Sequence, residues 1–432
     1  MVPILYYKKD DLGRVFNRTQ LDNSEYILAV ESIVEDVRKR GDEALFEYAL
    51  KFDKQTINAD NILVSEEEIE AAYSKVDKSL VESLKRAKES VLDYHVRQRD
   101  KFSNEFFQSG KSSTLGWIYR PLSRVGLYVP GGKASYPSTV LMTALPAIAA
   151  GVGEVVVTTP NINNPAILVA CKICGIDKIY KVGGAQAIAA MAYGTKSLPR
   201  VDLIAGPGNV FVTLAKKQVF GQVAIDMIAG PSEILVIADE SANPTLVASD
   251  LLSQAEHDEQ AASILVTTSK TLAQAVQKEL DRQTALLERK DIITKSLNAN
   301  GAIIVVDSID EAIEIADRVA PEHLEVCAND ADDVAMRLSN VGAIFVGGFS
   351  PEPLGDYFAG PSHVLPTSGS ARYSSVLSVD TFMKKISYIN YSKEDLLTNA
   401  DDIINVAESE GFGAHANTIK LRKAEYGDKE KK

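Results

Sequence analysis

Residues 137–160 read Pro137-Ser-Thr-Val-Leu-Met-Thr-Ala-Leu-Pro146-Ala-Ile-Ala-Ala150-Gly-Val-Gly-Glu154-Val-Val-Val-Thr-Thr-Pro160. The first fourteen residues are apolar on nearly every side, so they predict a buried helix, with Pro146 inside it. Gly151 and Gly153 end that run. The stretch 154–158 then reads as a strand covered on both faces, because its apolar residues are consecutive and do not alternate. The same order of elements returns further on. A helix over about 244–260 leads into Ile264-Leu-Val-Thr-Thr-Ser269. The echo admits a duplicated unit or a coincidence among common strand residues.

Working outward, apolar strand runs fall at 125–129, 154–158, 178–182, 201–205, 234–238, 263–267, 302–306 and 343–346. They alternate with helical stretches, which predicts α/β architecture with parallel sheets covered by helices. Eight strands are many for one sheet, so two are expected. Residues 25–100 read as mostly helical, with Val34, Val37, Ala44, Leu45 and Tyr48 at helical spacing and Gly41 as punctuation. Residues 380–432 turn polar, with one helix near 393–409 and a charged end; the last ten residues are expected to lack fixed structure. That segment is short for a domain and reads as an arm that docks on something.

At 432 residues and 45% hydrophobic content the chain can bury more than one core. A net charge of −13 argues against a nucleic-acid surface and fits a soluble, cytoplasmic enzyme. The start carries no signal-peptide core, and no apolar run reaches membrane-span length, so no membrane role is expected. Three cysteines give no disulfide framework. Cys171-Lys-Ile-Cys174 lies in an apolar helical pattern and reads as two core thiols; Cys327 lies in Leu-Glu-Val-Cys, a strand pattern.

Ala-Gly-Pro occurs at 205–207, 229–231 and 359–361. Each copy fits either a tight turn or a backbone that approaches a ligand, and the first follows a strand, where open α/β sheets bind ligands. Tyr128-Val-Pro-Gly131-Gly132-Lys133 and Gly183-Gly184-Ala-Gln186 also sit between a strand and a helix and could offer N–H groups to phosphate. No GxGxxG or GxxxxGK[ST] fingerprint is present; the nearest approach, Gly151-Val-Gly153, has Val156 at the third position.

The chain has five histidines. His95 looks like a helix-surface residue, while the other four lie in polar, turn-rich clusters with carboxylates. Gln254 and His257, three apart in a helical segment, could share one ion or simply be exposed. Asp356 and His415 would complete a four-donor N/O set suited to zinc. Glu322-His323, after Pro321, could supply a base pair beside that ion or merely end a surface helix.

Taken together, Tyr128-Val-Pro-Gly-Gly, Gly183-Gly-Ala-Gln186-Ala-Ile-Ala, Gly206-Pro-Gly-Asn209, Gly230-Pro-Ser232-Glu, Ser253-Gln254-Ala-Glu-His257, Ala320-Pro-Glu322-His323, Gly355-Asp356-Tyr-Phe-Ala-Gly-Pro-Ser-His363 and Glu410-Gly-Phe-Gly-Ala-His415 closely resemble histidinol dehydrogenase, in order over roughly 25–420. The resemblance implies two incomplete Rossmann-like parallel-sheet domains with small N-terminal and C-terminal arms. Their expected bounds are 1–24 for the N-terminal arm, 25–128 with 234–379 for the first domain, 129–233 for the NAD-binding domain, and 380–432 for a dimerisation arm. It implies oxidation of L-histidinol to L-histidine through bound L-histidinaldehyde with two NAD⁺, the last step of histidine biosynthesis. It implies one Zn²⁺ per subunit, held by Gln254, His257, Asp356 and His415, the last from the partner in a homodimer. His323 would be the general base and Glu322 would activate water. Ser232, His363 and Glu410 would join the metal-site residues and His323 in holding substrate, and Tyr128, Gln186 and Asn209 would line the NAD site. A metal-dependent hydrolase, a non-catalytic ligand-binding protein and a dehydrogenase of another amino alcohol are the rival readings of the same residues.

Overall fold

The structure, a computed structural model, describes residues 2–17, 24–131, 136–160 and 162–427. Among these the strands run, in chain order, β1 (Ile4–Tyr6), β2 (Glu105–Ser109), β3 (Ser113–Pro121), β4 (Arg124–Tyr128), β5 (Glu154–Thr158), β6 (Ile179–Tyr180), β7 (Leu203–Ala205), β8 (Ala224–Ile225), β9 (Glu233–Ala238), β10 (Ala262–Thr267), β11 (Ala302–Val305), β12 (His323–Cys327), β13 (Ala343–Val346) and β14 (Met383–Asn390). The chain divides into two compact units, residues 1–98 with 122–382 and residues 99–121 with 383–432.

The first unit is α/β, as the strand–helix alternation predicts, and it holds two parallel sheets. One is five-stranded, in the order β6-β5-β4-β7-β8, and the other is six-stranded, in the order β1-β11-β10-β9-β12-β13. Both wind alike. Each starts on a central strand (β4 or β9), adds two strands to one side, then crosses back to add two on the other. This is the doubly wound order 3-2-1-4-5, a Rossmann sheet without its sixth strand, with its reversal point between β4 and β7 and between β9 and β12. The echo noted in the sequence falls on equivalent pieces, the first crossover helix and the second strand of each sheet. In the six-stranded sheet β1 adds an edge beside β11, a pairing that a three-residue strand is too short to announce.

The helix Pro137–Ala150 is buried along most of its length and ends on Gly151 in the left-handed region, at φ +85°. Local chemistry starts the other crossover helices. Asn164 and Asn243 cap helices whose first residue is proline, and Ser269 and Ser308 cap two more. Cys171 and Cys174 are buried on the helix Pro165–Cys174, as read, and burial pushes both thiols up. His95 corrects its reading. It lies on the buried stripe Val81, Leu84, Ala87, Val91 and His95 of the helix Lys78–Arg99 and is fully buried, with Nδ1 2.8 Å from Gln98 Oε1.

The second unit pairs β14, β3 and β2 in an antiparallel sheet, followed by the helices Lys393–Ser409 and Gly413–Tyr426. The first helix is where the sequence puts it. The second was not expected, and it carries order into the last ten residues as far as Tyr426; 428–432 lie outside the described residues. Asp395 organises the turn between β2 and β3. It accepts the N–H groups of Lys111, Ser112 and Ser113 and the hydroxyls of Ser113 and Ser392, which hold its carboxyl well below the usual range. Gly110 there sits at φ +63°, and a side chain on it would strike that carboxylate at 2.5 Å.

Candidate active site

The helix Ile309–Val319 ends on Ala320, which is held in the left-handed region at φ +51°. That is a costly conformation for a residue with a side chain. It turns Pro321-Glu322-His323 sharply into β12, so adjacent Glu322 and His323 serve one place. Neither lies on the surface: Glu322 is 7% exposed and His323 3%. Gly342 lets the chain entering β13 pass the Glu322 carbonyl, which a Cβ would meet at 2.4 Å.

β9 lies beside β12, and its first residue locks the pair. The Glu233 N–H donates to Glu322 Oε2 at 2.9 Å, and His323 Nδ1 lies 3.0 Å from the Glu233 carbonyl. A carbonyl only accepts, so Nδ1 carries the proton and Nε2 is the basic nitrogen of the neutral ring. Nε2 is buried without a hydrogen-bond partner, 3.8 Å from Asp356 Oδ1 and 3.9 Å from Glu352 Oε1. These distances are too long for hydrogen bonds but short for charge attraction. Burial opposes the charged ring, yet Glu322, Asp356 and Glu352 outweigh it and raise His323 to about 10. Burial raises Glu322 to about 8, against the pull of His323.

The helix Pro244–Ala255 carries Gln254, 1% exposed, and ends before His257, which sits in the following turn with its N–H on the Gln254 carbonyl. The two were expected on one helical face; the helix stops between them. Both amide atoms of Gln254 are buried without a partner. The helix Glu352–Tyr357 supplies Glu352 and Asp356. Donor atoms of His257, Glu352 and Asp356 all lie within 4.8 Å of one another. Burial, then the charge of Asp356, raises Glu352 to about 8. Burial works against the charge of Asp356 too, but His323 and His363 hold it down to about 2. A knot of carboxylates and imidazole with buried, unpartnered donors fits a divalent cation.

His363 Nδ1 lies 3.1 Å from the Asp356 carbonyl and Nε2 3.4 Å from Thr139 Oγ1 of the helix Pro137–Ala150. Burial lowers its pKa, partly offset by Asp356. Ser232 immediately precedes β9, and its carbonyl accepts from Ala262. A cavity of about 420 Å³ opens beside His257, lined by Leu84, Tyr136, Met142, Arg289 and Tyr357 among others. Glu410 and His415 belong to the second unit. Glu410 caps the helix Lys393–Ser409, His415 lies in the helix Gly413–Tyr426, and both are exposed.

The expected cofactor residues sit at the carboxyl edge of the five-stranded sheet. Tyr128 ends β4, and Gly206-Pro-Gly-Asn209 follows β7, so they flank the reversal point where such sheets bind ligands. Gly206, at φ +116°, passes so close to Tyr128 that a Cβ would lie 2.2 Å from its carbonyl oxygen. Asn209 is exposed and caps the helix Val210–Val219. Gln186 is buried, with Nε2 3.3 Å from Asp53. The N–H groups of Gly183 and Gly184, in one of the two turns that could have offered them to phosphate, are already used by Asp53 and by the Tyr128 hydroxyl. Gly132 and Lys133 of the other such turn lie outside the described residues. The second Ala-Gly-Pro has a structural task, since Gly230 donates to Thr367 Oγ1 and has no room for a Cβ beside Ser368.

Sequence reasoning missed Glu352. The signal available was its spacing of four from Asp356, which stacks the two on one helical face.

The histidinol dehydrogenase family profile matches residues 16–423. The chain belongs to the histidinol dehydrogenase family. It is therefore an oxidoreductase of histidine biosynthesis. A histidinol dehydrogenase of Caldanaerobacter subterraneus subsp. tengcongensis is 51% identical over 423 residues, which covers 96% of this chain and 98% of the relative. One from Heliobacterium mobile is 52% identical over 426 residues, covering 98% and 99%. The crystal structure of the family member from Elizabethkingia anophelis superposes with a TM-score of 0.91 at 36% identity, with 98% of each chain covered. No helix among the described residues is long and apolar enough to cross a membrane.

Proposed function

We propose that the chain oxidises L-histidinol to L-histidine through bound L-histidinaldehyde, using two NAD⁺ in succession. It would do so in the cytoplasm, as a homodimer. The observation that carries this reading is the basic Nε2 of His323, fixed by Glu233 and turned toward the carboxylates of Asp356 and Glu352. Gln254, His257 and Asp356, with His415 of the partner subunit, would hold one Zn²⁺ per subunit. The unpartnered Gln254 amide and the clustered His257 and Asp356 donors support that set. A bound divalent ion supplies orientation of the substrate's nitrogens and local positive charge. That charge would offset the carboxylates around His323 and return its ring toward the range where it can act as a base.

His323 Nε2 takes the hydroxyl proton while hydride leaves the carbon that bears that oxygen for NAD⁺, giving the aldehyde. Glu322 then removes a proton from water as it adds to the aldehyde, and protonated His323 returns its proton to the aldehyde oxygen, giving the hydrate and a neutral ring. His323 takes the hydrate's hydroxyl proton as the second hydride leaves, giving the carboxylic acid. Ser232, His363 and Glu410 would hold the substrate, with Glu410 suited to its cationic group. Tyr128, Gln186 and Asn209 would line the NAD site. In this reading 129–233, together with β4 as the central strand of its sheet, is the NAD-binding Rossmann-like domain, the rest of 25–128 with 234–379 is the other, 1–24 is an arm, and 380–432 joins the dimer.

The test is absorbance at 340 nm on mixing protein, NAD⁺ and histidinol. Two NADH per histidinol are expected. A chelator should abolish the signal and Zn²⁺ should restore it. Full turnover in a metal-stripped sample would refute the ion's role, and hydrolysis without NADH would refute the reading itself.

A further inference from the structure

We infer that Glu352 is itself a donor to the divalent ion before substrate arrives, and that it yields this position when substrate binds. The inference rests on the proposed ion site and adds a ligand to it. Glu352 is 1% exposed and opens the helix Glu352–Tyr357, one turn ahead of Asp356 on the same face. Two contacts fix it. Its Oε2 accepts from Ser253 Oγ at 3.0 Å, and its own N–H donates to Glu325 Oε1 at 2.7 Å. Ser253 adjoins Gln254, so one turn of the helix Pro244–Ala255 both orients Glu352 and supplies a proposed ligand.

The other oxygen, Oε1, is buried without a hydrogen-bond partner, and its carboxyl stands against that of Asp356. A buried carboxylate oxygen with nothing to bind is costly, and the cost falls if a cation lies beside it. The Glu352 donor lies within 4.8 Å of those of His257 and Asp356, a spacing that lets one ion touch all three.

Ligand counting then gives the exchange. The four proposed donors and Glu352 make five. Two substrate nitrogens would make seven, more than zinc-sized ions accept in nitrogen and oxygen sites. One donor has to leave, and Glu352 is the one outside the proposed four-ligand set; it keeps a hold without the ion, since its Oε2 already accepts from Ser253 Oγ.

Co²⁺ is the probe, loaded into metal-stripped full-length protein, with its visible absorption reporting donor number and type. Glu352→Gln should bind Co²⁺ at least about tenfold more weakly than wild type. Its spectrum should differ from wild type without substrate and converge with it once histidinol is added. Glu352→Asp should fall between the two. Unchanged affinity together with an unchanged starting spectrum in Glu352→Gln would overturn the inference. A measurement on wild type alone guards against a variant that does not fold. X-ray absorption of the Zn²⁺ form should show a net gain of one light donor on adding histidinol, and a gain of two would overturn the inference. The ion site itself fails separately, if wild type and His257→Ala take up Co²⁺ alike.

Discussion

At His323 one ring nitrogen is committed and the other is not. Nδ1 faces the Glu233 carbonyl, and the same residue's N–H holds Glu322, so one residue of β9 fixes both side chains through its backbone. Replacing Glu322 with Gln keeps an oxygen for the Glu233 N–H but removes the ability to take a proton. Oxidation of supplied aldehyde should then fall about 10²–10⁴-fold, the usual worth of a positioned base, while the alcohol step falls less than about tenfold. Stopped-flow NADH formation from histidinol and from histidinaldehyde checks this; equal losses in both would argue against separate tasks. At this scale the sequence was informative where chemistry is local. The Pro-Glu-His turn and the Gln254–His257 pair were visible as polar clusters in an apolar chain. Glu352 was not, because a lone Glu after proline gains meaning only when a helix stacks it over Asp356. His95 was read as a helix-surface residue, although its spacing of four from Val91 put it on the apolar stripe.

At the scale of elements, the turn after β7 is held from below by an ion pair. Lys216 and Asp226 are almost wholly buried and paired. Lys216 also donates to the Gly206 carbonyl at 3.0 Å, and Asp226 accepts the Gly206 N–H at 2.7 Å. The pair thus clamps the two peptide units on either side of Gly206, in the turn that the proposed NAD site depends on. Lys216→Met would leave a buried carboxylate uncompensated, which costs about 3–5 kcal/mol. The urea midpoint should drop accordingly, and NAD⁺ affinity should weaken with it. A midpoint within error of wild type would show that the clamp is dispensable. The eight parallel strands expected, among them β6 and β7 inside the runs 178–182 and 201–205, were legible because burial on both faces leaves a continuous apolar run. β1 and β8 are three and two residues long and carry no such signal. The sheet of the second unit was hidden for another reason. β3 pairs with β14 across more than 250 positions of sequence, and no local pattern encodes that partnership.

At the scale of the whole molecule, the proposed ion would couple stability to metal. Its donors in the first unit come from the helix Pro244–Ala255, the turn after it and the helix Glu352–Tyr357, next to the head of β12. Unfolding would scatter them, so the ion would bind the folded chain far better than the unfolded one. Mass action then gives about 2.7 kcal/mol of added stability at a free Zn²⁺ concentration of about 100 times the dissociation constant. The melting temperature should rise by a few degrees with Zn²⁺ and fall back with chelator. In His257→Ala the response should vanish. His415 offers a sharper comparison, because in the proposed dimer it reaches the ion only across subunits. The Zn²⁺-dependent rise in wild type should therefore grow with protein concentration, whereas in His415→Ala it should be smaller and independent of concentration. Thermal melts at two protein concentrations, with Zn²⁺ and with chelator, measure all of these together. A wild-type rise that ignores protein concentration would mean that no second chain completes the site.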